Sequence, residues 1–480
     1  MNRPIFKPAA FGLLVALLGG CTQLPSVGPD YQPPSLAMPS QWTAPPVAEP
    51  ARELARWWRQ LADPVLDGLI DEALAGSLDL RLAQSRLRQA RAARAQAVSG
   101  FFPTLSASTA GQRSKAAQAV SAVPERTIYD AGFDASWEID LFGGTRRAVE
   151  AATADQAAMA ASLDNVRVSL VAEVAQNYVE LRSYRRRLQI ARDNLASQSE
   201  TLQITDWRYQ AGLTDGSDVE QARTNREQTR AGIPDLEVGL TAAGHRLAVL
   251  LGRQPGALPG ELARVAPLPA VPASLGAGIP ADVLRQRPDL ITAERTLAAE
   301  TARVGQKLAA RFPSLSLGGS FGWQAYSLGA LGGSDTVLRA LSGTLAATLF
   351  DGGKLRSAVD IQSAVQEQAL ISYEASVLSA LEEVENGLTA YAASRERVAA
   401  RQAAATAARS AAALSRDLYQ AGLADFQKVL ETERTRLTAE DNLATAEATV
   451  LSSLIKLYKA LGGGWEAPAM AQQFEEGKQS

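Results

Sequence analysis

The chain of 480 residues contains one cysteine and one histidine. That scarcity excludes a disulfide framework and any cluster of His and Cys ligands. His245 lies in a helical stretch and reads as an ordinary surface or interface residue. Charge of one sign is also lacking: 48 Lys and Arg face 51 Asp and Glu, mixed along the chain, for a net charge of −3. No basic face for nucleic acid follows from such a distribution. Beyond the N-terminus there is no apolar run long enough for a membrane-spanning helix. Ser, Asp and Glu are plentiful, yet no nucleophile–base constellation or phosphate-binding loop is legible. The sequence therefore reads as a non-enzyme with no catalytic residue, no metal ligand and no cofactor beyond a covalent lipid on its cysteine.

That cysteine, Cys21, follows a basic start (Arg3, Lys7) and a short apolar run over 9–18. Leu18-Gly19-Gly20-Cys21 places small residues just before the Cys, as a processing site requires, and the run is too short to span a bilayer. The stretch resembles a bacterial lipoprotein signal, with 1–20 removed and Cys21 lipidated. Several acyl chains, at about 0.8 kcal/mol per buried methylene, would anchor the chain firmly. Thr22 rather than Asp after the Cys resembles the pattern sorted to the outer membrane.

What the chain does have is a duplication. Tyr209-Gln210-Ala211-Gly212-Leu213 returns as Tyr419-Gln420-Ala421-Gly422-Leu423, an offset of 210 residues or 30 heptads. Phe102-Pro103 and Phe312-Pro313 share the offset. The order of parts is a Pro-rich arm over 21–52, a first repeat over 53–252, a Pro/Gly-rich connector over 253–288, a second repeat over 289–462 and a tail over 463–480. In the first repeat a short helix is expected near 53–61. A helical region follows from Asp63-Pro64 through Asp79-Leu80 toward Gly100, with Leu66, Leu69, Ile70, Ala73 and Leu74 on one face.

Each repeat then offers two alternating segments. Residues 105–111 alternate small and apolar residues, and a polar loop over 112–128 leads to the clearest strand. There Tyr129, Ala131, Phe133, Ala135, Trp137, Ile139 and Leu141 occupy odd positions, while Asp130, Asp134, Ser136, Glu138 and Asp140 occupy even ones. Period-2 patterning, apolar on one side and acidic on the other, fits a strand between lipid and water, and equally a half-buried sheet. In the second repeat Leu315, Leu317, Gly319, Phe321 and Trp323 alternate, as do Leu341, Gly343, Leu345, Ala347 and Leu349. If these strands lie in lipid they must close into a barrel, because open edges are not tolerated there. Four strands are too few for one chain, so closure demands an oligomer, with eight strands in a dimer or twelve in a trimer.

Long helices follow the strands. From Thr145 to Ala211, Val174, Leu181, Leu188, Leu195, Leu202 and Tyr209 recur every seven residues, a coiled-coil seam about 100 Å long. The second repeat carries Val384, Tyr391, Val398, Ala405, Ala412 and Tyr419 in the same register. Gly212 and Gly422 supply left-handed stops at hairpin tips, Asp215 or Ser217 can cap the first return helix, and Asp425 the second.

Several stretches together resemble the TolC-like outer-membrane factor family, in its OprM/NodT-type efflux lipoprotein branch. They are Ser26-Val27-Gly28-Pro29-Asp30-Tyr31, Trp57-Trp58 with Asp63-Pro64, Trp137 through Gly143, Arg287-Pro288-Asp289 and the paired tips, and the match covers nearly the whole mature chain in order. The resemblance implies a mainly α fold with a transmembrane β-barrel. In it a homotrimer forms a twelve-stranded barrel, four strands per chain, continued by a periplasmic α-helical barrel. It further implies an exit duct that passively conducts small molecules in a tripartite efflux system, with a periplasmic adaptor and an inner-membrane transporter as partners. The outer-membrane duct of a protein-secretion system and a soluble periplasmic coiled-coil scaffold stand as alternatives. On this reading Asp130, Asp134 and Glu138 face the barrel lumen, and Gly212, Leu213, Gly422 and Leu423 form the adaptor-docking tips. In the family, acidic rings narrow the periplasmic entrance near the second tip. Here Glu431 falls on one acidic position and Lys428 on the other. Asp218 is the pseudo-equivalent of Lys428, so these charges are expected to pair between adjacent hairpins. They would hold the entrance shut until an adaptor engages the tips; the alternative is a solvated helix face, with closure resting on the apolar packing around Tyr419 and Val429.

Overall fold

The structure, a computed structural model, describes residues 26–36, 39–43, 54–115, 125–258, 260–264, 266–272 and 285–465. The chain divides into two compact units, one from 1–35, 86–160 and 292–374, the other from 36–85, 161–291 and 375–480. Its elements are α1 (Pro64–Gly76), α2 (Leu78–Ser99), β1 (Thr104–Lys115), β2 (Glu125–Ile139), α3 (Gly144–Gln210), α4 (Gly216–Leu250), α5 (Pro288–Ala309), β3 (Ser314–Ala325), β4 (Val337–Ala346), α6 (Lys354–Gln420) and α7 (Phe426–Ala460). Helices α3 and α6 are each 67 residues long.

The first unit is built on an antiparallel sheet in the order β1-β2-β3-β4. Direct cross-strand partners share a face. Ala107 pairs with Phe133, Phe133 with Phe321 and Phe321 with Arg339, while Ser106 pairs with Asp134, Asp134 with Ser320 and Ser320 with Ala340. Odd therefore meets odd across all four strands. The odd face carries Leu105, Tyr129, Phe133, Trp137, Leu315, Leu317, Phe321, Trp323, Leu341 and Leu345; the even face carries Ser, Thr, Asp, Gln and Gly at most positions. β1 and β4 each leave one edge unpaired among the described residues.

Three expectations for this sheet shift. β2 ends at Ile139, so Asp140 and Leu141, expected in the strand, lie beyond it. The loop expected over 112–128 shrinks, because β1 runs on to Lys115 and β2 starts at Glu125. β4 stops at Ala346, so Ala347 and Leu349 lie beyond it. Asp351 takes the backbone N–H groups of Gly353 and Leu355 at 2.8 Å each, which commits the chain to α6 after the strand. At the first strand-to-helix turn, Asp140 accepts the N–H of Arg146 at 2.9 Å.

In the second unit Trp57 stacks on Tyr458 at 4.9 Å, inside a core with Leu61, Leu66, Ile70, Val174, Leu181, Leu247, Leu451 and Leu454. Asp63 caps α1 through the N–H groups of Val65 and Leu66, with Pro64 at the first helical position, as the sequence implies. Its other oxygen accepts the hydroxyl of buried Tyr178 at 2.6 Å. The helix expected near 53–61 is a 3-10 turn, Trp57–Leu61. The helix expected to continue from Asp63 toward Gly100 breaks at Ser77, whose ψ of 132° is extended. Two segments of the chain approach closely at this break: a Cβ on Gly252 would stand 2.5 Å from the carbonyl oxygen of Gly76.

Candidate functional site

Sequence reasoning proposes three sites: the lipidated Cys21, the even face of β2 and the hairpin tips. Cys21 lies outside the described residues, as do 1–25 generally.

On β2 the even positions fall where the alternation implies. Asp130 accepts from the Gln324 amide at 2.7 Å and Asp134 from the Ser108 hydroxyl at 3.4 Å, both across the strands on the polar face. Glu138 shares that face opposite Ser316. Three acids on one face of a sheet whose other face is aromatic and aliphatic form a surface suited to water on one side only.

Each tip is set by its glycine. Gly212 and Gly422 have φ of 69° and 75°. In each, the following Leu donates its N–H five residues back, Leu213 to Arg208 and Leu423 to Leu418, both at 2.8 Å. This left-handed stop satisfies carbonyls the helix end would orphan. It also pushes Leu213 and Leu423 outward, at 67% and 76% exposure. Asp215 caps α4 by accepting from the backbone of Ser217 and Asp218, and Asp425 caps α7 by accepting from Lys428.

Just above the second tip Tyr419 is buried with Ala222, Phe426, Val429 and Leu430, and Leu202 and Ile204 pack against this cluster. The guanidinium of Arg208 lies 4.5 Å from the Tyr419 ring centroid, and its Nη1 donates to the Tyr419 carbonyl at 2.7 Å. The two repeats differ here: Tyr419 is 3% exposed, its pseudo-equivalent Tyr209 50%. Position 418, the counterpart of Arg208, is Leu, so no cation covers the first tyrosine by the same route.

Within the chain the charges expected at a gate pair locally. Lys428 Nζ meets Glu431 Oε2 at 3.2 Å along one helix face, and Asp218 accepts from the Thr214 hydroxyl. Lys428 and Asp218 are not an ion pair within one chain.

The seam of α3 departs from the apolar heptad on the way to the tip. Val174, Leu181 and Leu188 are buried, but Leu195 and Leu202 are only half-buried and Tyr209 is exposed. Asn194, Gln198, Thr201 and Thr205 are buried instead. These polar residues are spaced four, three and four apart, and Asn194 and Thr201 stand one position before Leu195 and Leu202. Facing them, Glu433 is buried on α7 and accepts from Thr201 Oγ1 at 2.7 Å, with Arg416 3.9 Å away. Burial pushes the Glu433 carboxyl above the ordinary glutamate range, while Thr201, Arg416 and Arg436 pull it back. Sequence inspection missed Arg208, Phe426 and Glu433. Only Phe426 left a signal, as an aromatic directly after a helix cap.

Comparison with known proteins agrees with this duplication. The sequence matches the family model described as outer membrane efflux protein over 69–253 and again over 279–463. It is 31% identical to nodulation protein T of Rhizobium leguminosarum bv. trifolii, over 95% of this chain and 97% of that protein. It is 33% identical to the pyoverdine export outer membrane protein OpmQ of Pseudomonas putida, over 91% and 94% respectively. Among solved structures, the outer-membrane channel OprN superposes with a TM-score of 0.86 at 36% identity, covering 92% of this chain and 99% of that one.

Proposed function

Because the chain belongs to the outer membrane efflux protein family, we propose that three copies close one twelve-stranded barrel and form the exit duct of a tripartite efflux system. The chain is an outer-membrane channel component of efflux, and its fold is mainly α-helical with a β-barrel contribution. One observation carries the assembly: a four-stranded sheet, apolar on most odd positions and polar on most even ones, with the outer edges of β1 and β4 unpaired among the described residues. Such edges in lipid must be covered by strands of other copies. Four strands fall short of the smallest closed barrels, and only a wide barrel leaves an aqueous lumen.

In this duct Asp130, Asp134 and Glu138 line the lumen and draw cations over anions. The exposed Leu213 and Leu423 at the tips offer apolar knobs to a periplasmic adaptor, which joins the duct to an inner-membrane transporter. Substrate choice rests with that transporter, since no enclosed site for one ligand is needed in a passive pore. Cys21, lipidated after removal of 1–20, adds a second anchor beside the barrel.

Outer-membrane fractions run on a gel with and without heating test the assembly. A band of three-chain mass that collapses on heating is expected, with single-channel steps in a planar bilayer. A soluble species without conductance would overturn the reading. Metabolic labelling with a fatty acid is expected to mark the wild type and spare Cys21→Ser; equal labelling of both would remove the lipid from the proposal.

A further inference from the structure

The end of the sheet farthest from the helices is basic on its apolar side. β1 finishes Arg113-Ser114-Lys115 and β4 begins Val337-Leu338-Arg339. Register places all three cations on the odd face: Lys115 opposite Glu125, Arg113 opposite Thr127, and Arg339 opposite Phe321. Arg113 Nε meets Glu125 at 2.5 Å, and both are exposed. Lys115 and Arg339 have no side-chain partner among the described residues. Residues 116–124, Ala-Ala-Gln-Ala-Val-Ser-Ala-Val-Pro, carry no charge.

A cation on the lipid side of a barrel costs about 2–4 kcal/mol at the midplane and about 0–1 near the interface. These three sit within three residues of the strand ends, where long stems can lie along apolar surface and lift their charges outward. Tyr129 and Trp323 share the same face near the same end, opposite Ala325 and Val337 respectively. Aromatic rings of that kind mark the headgroup level of a membrane. The polar face at this end differs, with Gln112, Ser114 and Arg126 turned to the other side.

Barrel closure brings the two edges together. Arg339 is the third residue of β4 from the distal end and Arg113 the third of β1. Aligning the rims sets Arg339 of one copy beside Arg113 and Lys115 of the next. Three cations then meet Glu125, with Asp335 in the loop before β4 as a second acid at this end, leaving a net positive charge at the headgroup level. A phosphate monoester carries about −1.5 to −2 near neutral pH, and a guanidinium group can hold its oxygens through two parallel bonds. A free phosphate in water would have no reason to favour the lipid side of the sheet. We propose that Arg113, Lys115 and the next copy's Arg339 form a site for the phosphate groups of a phosphorylated outer-leaflet glycolipid. This inference rests on the trimeric barrel proposed above.

Native mass spectrometry of the full-length protein tests it, with bisphosphorylated lipid A, fully dephosphorylated lipid A and inorganic phosphate as probes. The wild-type trimer is expected to retain bisphosphorylated lipid A roughly tenfold better than the dephosphorylated lipid, a difference of about 1.4 kcal/mol. The combined Arg113→Gln, Lys115→Gln, Arg339→Gln variant should lose that preference, while Arg126→Gln, on the polar face, should keep it. Equal retention of both lipids by the wild type, an unchanged preference in the triple variant, or complete displacement by inorganic phosphate would each overturn the site. If no three-chain species forms, the barrel itself fails and the site falls with it; a lipid-indifferent trimer leaves the barrel standing.

Discussion

Thr201 on α3 donates a 2.7 Å hydrogen bond to Glu433 on α7, whose side chain is 2% exposed. Burial is the largest influence on that carboxyl and raises its pKa; the Thr201 bond and the Arg416 and Arg436 charges oppose it, and Glu200 adds to the rise. A carboxyl with a raised folded-state pKa binds its proton more tightly folded than unfolded. Folding stability therefore falls as pH climbs from the ordinary glutamate range toward the folded value. Glu433→Gln keeps an oxygen for Thr201 and removes the titration. The variant is expected to melt higher than the wild type at about pH 8, with the gap closing toward about pH 4. A lower melting point for the variant at the higher pH would show that attraction to Arg416 outweighs desolvation.

Phe133 and Asp134 are neighbours on β2 with opposite faces, paired across the sheet with Phe321 and Ser320. Phe133→Arg places a cation in the apolar band and is expected to cost about 2–4 kcal/mol, seen as reduced heat-modifiable trimer. Asp134→Arg should assemble normally and shift ion selectivity in a planar bilayer toward anions. The reverse order would show that the polar face meets lipid.

The parity of this sheet was legible because a strand with one wet face must alternate, and Tyr129 through Ile139 does so without interruption. The caps were legible too: Asp63, Asp215 and Asp425 each stand just before a helix, where a short acceptor satisfies free N–H groups. The seam near the tips was not. A heptad scan counts apolar residues and followed Leu195, Leu202 and Tyr209, while the chain buries Asn194, Gln198, Thr201 and Thr205. Thr201 is held by Glu433 and Asn194 by Glu440 and Arg436, partners on another helix that no local pattern announces, while the Gln198 amide is buried without a hydrogen-bond partner among the described residues. The charges expected at a gate show the same limit. Spacing correctly implied that Lys428 and Glu431 share a helix face, but a reach from Lys428 to Asp218 of another hairpin depends on an interface that one sequence does not display.

Arg147 clamps the N-terminal arm in the first unit, and nothing in the local sequence signalled it. Buried at the start of α3, it donates to Asp30 Oδ1 at 2.7 Å and to the carbonyl oxygens of Val27 and Gly28 at 3.2 Å each. Gly28 has φ of 98°, and a Cβ there would stand 2.4 Å from Gly305 Cα. Arg147→Leu removes the donor to four acceptors, Glu150 among them, and leaves the Val27 and Gly28 carbonyls without it, at an expected cost of about 2–3 kcal/mol. Gly28→Ala adds backbone strain of about 1–2 kcal/mol to the clash. Limited proteolysis should cut near 26–31 in both variants and leave the wild type intact. An arm equally resistant in all three would show that its place is held by something other than this clamp.

Closure of the proposed entrance depends on whether charge or packing contributes more, and the magnitudes favour packing. The Lys428–Glu431 pair is exposed on both sides, and such pairs contribute about 0–1 kcal/mol. Tyr419 fills a small core with Phe426, Val429 and Leu430, its ring centroid 5.9 Å from that of Phe426, and it is covered by Arg208. Truncating a buried aromatic costs about 3–5 kcal/mol. Tyr419→Ala is therefore expected to raise the open fraction in planar-bilayer recordings well beyond the wild type. Tyr209→Ala, which removes a half-exposed ring, should change little. Lys428→Asp sets a second acid beside Glu431 and should raise the open fraction modestly. Adding Asp218→Lys should restore closure in part only if charges meet between hairpins in the assembled duct. Were Lys428→Asp to open the channel more than Tyr419→Ala, repulsion within the charge rings would be the controlling force, and the tyrosine core would be a consequence of closure rather than its cause.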